Sequence, residues 1–202
     1  MALWQTTRFR LDLTRPLVMG IVNNTPDSFS DGGHHHSVTA ALRHAEKLLK
    51  DGAHILDIGG ESTRPGSPAV PLAGDMRRVL PFVQAAVQFG VPISVDTYKA
   101  QVMQAVLDAG ADIINDVWAL RQPGAQSVVA NHPHCGVVLM HMHKTPQDMQ
   151  QTPMQGDAVA QVQNFLAQQT QALLALGVER QRIVWDYGIG FGKTVAQNFA
   201  LL

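Results

Sequence analysis

The sequence has little of several features that mark specialised classes of protein. It contains one cysteine, Cys135, so no internal disulfide can form, which is typical of a reducing compartment. Its 15 lysines and arginines nearly balance its 16 aspartates and glutamates, which leaves no basic field to attract nucleic acid or an anionic membrane. No apolar run is long enough to span a membrane, and residues 1–10 lack the apolar core of a signal peptide. We therefore expect a cytoplasmic protein that binds small molecules.

What the sequence does contain is a repeated alternation of strand and helix patterns. Hydrophobic residues make up 46% of the 202 residues, which is enough to bury a core, and we expect a single domain over residues 1–202. Short apolar runs that are typical of buried parallel strands recur at 17–22, 54–59, 93–97, 112–117, 136–142 and 183–187. Helical patterns lie between them, as in Ser37 to Lys50 behind a serine cap and Ala158 to Leu176 behind an Asp157 cap.

Glycines separate these helices from the strands that follow, at Gly52, Gly90, Gly110 and Gly177. A glycine there accepts the left-handed conformation that ends a helix, so the pattern predicts six βα units in succession. Such units form either an open doubly wound sheet or a (β/α) barrel.

The position of the polar residues favours the barrel. Nearly every apolar run ends in an acidic or amide side chain, and in a barrel all of those ends converge on one mouth. An open sheet would gather only the residues beside its switch point. We therefore predict the α/β class and a TIM-type (β/α)8 barrel that is incomplete in this chain, with about six βα units.

Two polar loops follow the first two strands, at residues 23–33 and 59–66. The second loop carries Thr63 and Arg64, a hydroxyl and a guanidinium that could hold a phosphate group together. A surface ion pair between Arg64 and Glu61 is the alternative, and for Arg64 taken alone it is the better one. Asn23, at the start of the first loop, offers an amide oxygen that suits a hard cation such as Mg²⁺.

Two carboxylates occupy equivalent positions at the ends of the third and sixth strands, Asp96 and Asp186. A carboxylate there can accept two hydrogen bonds from a planar N–C–N edge and can stabilise positive charge on the ring that carries it. Helix capping is the alternative, and it explains two matched acids less well. Asn115 could bind the mixed donor and acceptor edge of a heterocycle or could be satisfied by the backbone, and Met140 could line a flat ring or belong to the core.

The run Gly188-Ile189-Gly190-Phe191-Gly192-Lys193-Thr194 superficially suggests a phosphate-binding loop. That loop needs four residues between its first glycine and Gly-Lys-Thr, whereas this run has three, so we reject a nucleoside triphosphatase. A glycine-rich loop that lets a substrate ring approach the backbone is the simpler interpretation.

Taken together, these motifs resemble the dihydropteroate synthase family, and the resemblance extends from Pro16 to the end of the chain. It is carried in order by residues 23–33, 59–66, 94–97, 114–116, 139–142 and 190–193. The resemblance implies a (β/α)8 barrel that joins 4-aminobenzoate to 6-hydroxymethyl-7,8-dihydropterin diphosphate and releases diphosphate. By position it makes Asn23 the Mg²⁺ ligand, Thr63 and Arg64 the diphosphate contacts, and Asp96, Asn115, Met140 and Asp186 the pterin site. It also makes Asp96, Asp186 and Arg64 the residues that stabilise the reacting charges.

Three departures from the family accompany this resemblance. Asn24 stands where the family usually has valine, Tyr187 stands where it has proline, and the lysine loop and Arg-x-His motif of the last two βα units have no counterpart. We therefore expect a barrel that lacks those two units, for which the homodimer of the full-length family is doubtful. The alternatives are an inactive fragment, a pterin-binding paralogue, or a methyltetrahydrofolate-binding methyltransferase domain.

Overall fold

The six predicted strands form one parallel sheet in chain order. The computed structural model describes residues 2–23, 33–61, 70–145, 148–149 and 152–202, with the backbone alone at 33–37. Within that part of the chain the sheet runs β3 (Met19–Asn23), β4 (Ile55–Gly59), β5 (Ile93–Asp96), β6 (Ile113–Asp116), β7 (Gly136–Met140) and β8 (Ile183–Asp186). Each strand pairs with the one before it, as in the successive strands of a (β/α) barrel.

A helix follows each of the six strands. These are α1 (Gly33–Lys50), α2 (Leu72–Ala86), α3 (Ala100–Asp108), α4 (Ala125–Asn131), α5 (Ala158–Ala175) and α6 (Val195–Leu201). The main core lies between these helices and the outer face of the sheet, where Leu56, Val95, Ile114 and Leu139 are buried. The strand residues between them face the other side, since side chains alternate along a strand. None of the helices that the structure describes is long and apolar enough to cross a membrane.

A short antiparallel hairpin, β1 (Leu3–Gln5) and β2 (Arg10–Asp12), lies against the amino ends of the strands. Trp4 packs there on Ile55, Ile113 and Val138, which belong to the inner face of the sheet. Its indole Nε1 donates a 2.9 Å hydrogen bond to the carbonyl of Arg182, directly before β8. The hairpin therefore covers the bottom of the sheet's inner face, and the opposite end is left for the polar residues.

We expect the Arg8→Ala variant to lower the free energy of unfolding by about 2 to 3 kcal/mol, because it leaves a buried carboxylate without its cation. Arg8 Nε and Nη2 donate to the two oxygens of Asp112 at 2.9 and 2.6 Å, and the Asp112 side chain is fully buried. Urea denaturation measures the change. The matched control is Lys47→Ala, which removes an exposed ion pair with Asp51 and should cost less than about 0.5 kcal/mol. Equal losses of unfolding free energy in the two variants would contradict the view that the Arg8–Asp112 ion pair stabilises the fold more than an exposed ion pair does.

The structure confirms most of the predicted elements and corrects two. All six strands are present, and Gly52, Gly90, Gly110 and Gly177 all have positive φ, as the helix ends require. The Asp157 cap is also confirmed, since its side chain accepts a hydrogen bond from the amide of Ala160. The start of α1 was wrong: the helix begins at Gly33, four residues before the predicted serine cap, because the intervening histidines do not break a helix. The hairpin β1–β2 was not predicted at all.

Candidate active site

Four residues at the carboxyl ends of neighbouring strands form one row across the sheet. Asn23 pairs in register with Gly59, Gly59 with Asp96, and Asp96 with Asn115. A Cβ atom placed on Gly59 would lie 3.3 Å from Asn23 Oδ1 and 4.0 Å from Asp96 Cβ. The absent side chain of Gly59 therefore leaves a gap between the amide of Asn23 and the carboxylate of Asp96, on the inner face of the sheet.

Asp57 lies directly beneath this row, two residues before Gly59 and on the same face of β4. Its Oδ2 accepts a 3.2 Å hydrogen bond from Asn115 Nδ2. The amide nitrogen of Asn115 is thus held by a carboxylate. Ser94 is the register partner of Asp57, is itself buried, and interacts with the Asp57 carboxylate so as to lower its pKa against the effect of burial.

Two acids of the inner face, Asp57 and Asp96, carry raised pKa values. Burial raises the pKa of Asp57. The pKa of Asp96 is raised well above its ordinary value, first by burial and then by the neighbouring carboxylates, of which Asp57 contributes most. Among the described residues no lysine or arginine forms an ion pair with either acid. The described part of the site therefore concentrates acceptors, which favours a ligand that brings N–H donors or positive charge.

Met140 and Asp186 are register partners on β7 and β8, one step nearer the mouth on the same inner face. Met140 is buried and packs with Val117, Met142 and Met149. Asp186 is exposed, and its Oδ1 accepts a 2.7 Å hydrogen bond from the amide of Gly188. The structure thus places Asn23, Asp96, Asn115, Met140 and Asp186 on one face, at the carboxyl ends of the strands. Thr63 and Arg64 lie outside the described residues.

The segment that leads to Thr63 and Arg64 begins in a buried ionic cluster. Lys99 Nζ binds Asp75 Oδ2 at 2.8 Å and also binds Glu61 Oε2, while Tyr98 OH donates to Glu61 Oε1 at 3.0 Å. Both oxygens of Glu61 are therefore engaged by the loop that follows Asp96. The cluster joins the ends of β4 and β5, so the two loops are held together beside the row.

Replacing Lys99 with methionine should cost about 3 kcal/mol of unfolding free energy, because Glu61 and Asp75 would keep their charges in a buried place. Adding Asp75→Asn to that variant should restore part of the loss, since one of the unpaired charges is then removed. Chemical denaturation of the single and double variants, beside Lys50→Met on the exposed side of α1, tests this. If the loss of unfolding free energy in the double variant equals the sum of the losses in the two single variants, then Lys99, Glu61 and Asp75 do not act together.

The comparisons with known proteins agree with this geometry. The family model described as pterin binding enzyme matches residues 19–202. The chain belongs to the family of pterin-binding enzymes. The dihydropteroate synthase of Neisseria meningitidis serogroup C is 46% identical over 98% of this chain and 71% of its own length, and that of Escherichia coli K12 is 44% identical over 95% and 68%.

Solved structures of pterin-binding enzymes have the same fold as this chain. The dihydropteroate synthase of Burkholderia cenocepacia, complexed with 7,8-dihydropteroate, has a TM-score of 0.89 and 50% identity over 99% of this chain and 68% of its own. The enzyme of Yersinia pestis, in a sulfonamide drug complex, has a TM-score of 0.90 and 43% identity over 98% and 72%. The barrel class predicted from the sequence is therefore confirmed.

Three features of the site were not predicted from this pterin-binding sequence. Asp57 was not counted among the candidate site residues. The signal was present, since an acid within a buried strand two residues before Gly59 must share its face. The ionic cluster around Lys99 and the buried position of Lys193 depend on contacts between separate loops. No local sequence pattern indicates such contacts.

Proposed function

We propose that this chain acts as a dihydropteroate synthase, in which the inner-face row binds the pterin of 6-hydroxymethyl-7,8-dihydropterin diphosphate. The observation that supports this most is the pair Asp96 and Asn115 above the buried Asp57, with Asp186 on the same face. The amino-pyrimidine edge of a pterin presents N–H donors, from which these carboxylates can accept hydrogen bonds. Met140, which is buried beside them, would form the apolar wall for the ring.

The reaction forms a carbon–nitrogen bond and breaks a carbon–oxygen bond. The amine of 4-aminobenzoate attacks the methylene carbon of the pterin and loses a proton, and diphosphate leaves. Asp96 and Asp186 favour the positive charge that develops on the pterin, while Thr63 and Arg64, which lie outside the described residues, would hold the departing diphosphate. Positioning and electrostatics then supply most of the rate, and little acid–base catalysis is required.

Mg²⁺ belongs to this proposal as an ion that a diphosphate substrate brings with it. Asn23 is exposed at the mouth, and a Cβ on Gly59 would lie close to its Oδ1, so the oxygen borders the gap in the row. A single amide oxygen fits Mg²⁺, which commonly keeps few protein ligands and completes its shell with phosphate oxygens and water. When bound, the ion would neutralise charge on the leaving diphosphate.

The decisive experiment measures diphosphate release by the purified chain with Mg²⁺, the pterin diphosphate and 4-aminobenzoate, beside an Asp96→Ala control. Release that requires 4-aminobenzoate and is lost in the control supports the synthase. Pterin binding without release indicates a pterin-binding paralogue or an inactive fragment. Binding of methyltetrahydrofolate in preference to the pterin diphosphate would favour the methyltransferase alternative, and binding of neither would overturn the proposal.

A further inference from the structure

Lys193 is a buried cation whose hydrogen bonds, within the part of the chain that the structure describes, go to backbone carbonyls. Its side chain lies in the loop between β8 and α6, and the residue is only 5% exposed. The ammonium Nζ donates to the carbonyls of Gly188 at 2.8 Å, His141 at 3.2 Å and Phe191 at 3.2 Å. An ammonium has three donors, so these three acceptors satisfy it completely. Burial lowers the pKa of Lys193 to about 8, because the charged form is less well solvated in this place.

The three carbonyls belong to two different loops. His141 directly follows β7, which ends at Met140, whereas Gly188 and Phe191 belong to the loop that follows Asp186 at the end of β8. Lysine is seldom fully buried, and a hydrophobic side chain of similar volume would avoid the desolvation cost. Lys193 joins the two loops through its bond to the His141 carbonyl, and its bonds to Gly188 and Phe191 lie within its own loop. A buried cation in this arrangement calls for a reason beyond packing.

The hydrogen bonds around Lys193 lead directly to Asp186. The amide of His141 donates to the carbonyl of Asp186 at 3.0 Å, and the amide of Gly188 donates to the Asp186 carboxylate at 2.7 Å. The amide of His143 donates to Phe191 at 3.4 Å, and that of Met154 donates to Gly192 at 2.9 Å. The charge of Asp186 raises the pKa of Lys193 and so partly offsets the lowering by burial.

We propose that Lys193 is a positioning residue for the pterin site, which fixes the loop after β8 to the end of β7 and thereby sets the place of Asp186. The proposal rests on the proposed function, because Asp186 matters as a pterin contact only if the chain binds pterin. Lys193 itself touches no substrate in this scheme. Its sequence context, Gly-Phe-Gly-Lys-Thr, is thus explained without a phosphate-binding loop, since the ammonium is occupied by carbonyls of its own chain.

The test is a double-mutant cycle of Lys193→Met and Asp186→Asn, with Lys47→Met as the exposed control. The probe is 6-hydroxymethyl-7,8-dihydropterin, and its dissociation constant is measured below the melting temperature of every variant. We expect Lys193→Met to weaken pterin binding about 10-fold, because a displaced Asp186 carboxylate no longer forms a well-aligned contact with the pterin. Lys47→Met should leave pterin binding unchanged. In the Asp186→Asn background, Lys193→Met should add almost nothing. Independent, additive losses would overturn the proposal.

A second measurement needs no ligand and separates this proposal from the proposed function. We call the contact between the loop after β7 and the loop after β8 the junction, and the amides of His143 and Phe191 lie on its two sides. Hydrogen exchange at these amides should accelerate at least 10-fold in Lys193→Met and remain unchanged in Lys47→Met. If the unaltered chain fails to bind pterin, the proposed function fails and the exchange data still judge the junction. Unchanged exchange would overturn the proposal, as would faster exchange spread evenly over the whole chain.

If Lys193→Met does not fold, Lys193→Gln provides the same tests, since its amide retains two of the three donors. It should show weaker forms of both effects, with exchange and pterin affinity changing together. A Lys193→Gln variant with faster exchange at the junction and full pterin affinity would overturn the positioning role.

Discussion

Asp96→Asn should weaken pterin binding about 100-fold and, at neutral pH, should stabilise the ligand-free protein. The first effect follows because an amide replaces one of the two carboxylate acceptors with a donor, so a bidentate charge-assisted interaction is lost. The second follows from the raised pKa of Asp96, which shows that burial and the nearby carboxylates, led by Asp57, oppose its ionised form. Asparagine removes that charge and keeps the shape of the side chain.

The sign of the pH dependence follows from the same pKa. Because the folded protein holds the Asp96 proton more tightly than the unfolded chain does, stability contributed by this group is present at low pH and is lost as pH rises through the raised pKa. Asp96→Asn should therefore gain stability relative to the unaltered chain above that pKa and none below the ordinary value near 3.8. Thermal unfolding across pH measures this.

The matched control for Asp96→Asn is Asp108→Asn, which makes the same chemical change at an exposed position on α3. It should leave both pterin affinity and the pH profile unchanged. A loss of stability in Asp96→Asn at neutral pH would contradict the electrostatic account, and full pterin affinity in that variant would remove Asp96 from the site.

The sequence predicted the strands and the face on which the site lies, because both depend on local patterns. Apolar runs that end in Asn23, Asp96, Asn115 and Asp186 are visible one strand at a time, and parallel pairing then brings those ends together. Helix ends were equally visible, since a glycine with positive φ is required there. The residues that determine each strand end and each helix end lie within a few positions of that end.

The remaining features depend on contacts between distant parts of the chain. Trp4 covers the bottom of the sheet by packing on three strands, and nothing in residues 2–12 indicates which surface they meet. Lys99 finds Glu61 and Asp75 across two loops, and Lys193 finds the carbonyl of His141 more than 50 positions earlier in the chain. Charged residues of this kind read as exposed in a sequence, and only the folded chain shows that they are buried.

Gly188→Ala should be among the most destabilising single substitutions in the chain, with a loss of about 4 kcal/mol or more. A Cβ at this position would lie 1.9 Å from the carbonyl oxygen of His141, which is backbone and cannot turn aside. The residue also has φ of +64°, which costs an alanine a further 1 kcal/mol or so. To relieve the overlap, the loop after β8 must move away from β7, and the Gly188 amide then leaves the carboxylate of Asp186.

Gly190→Ala is the matched control, two residues away in the same loop. Its φ of +85° is as unfavourable for alanine, but a Cβ there would meet no atom of the described part of the chain within 4 Å. It should therefore cost only about 1 to 2 kcal/mol, which is the conformational term alone. The difference between the two variants in urea denaturation isolates the close approach of Gly188 to His141. Equal losses would mean that φ accounts for both effects, and that the two loops can separate without cost.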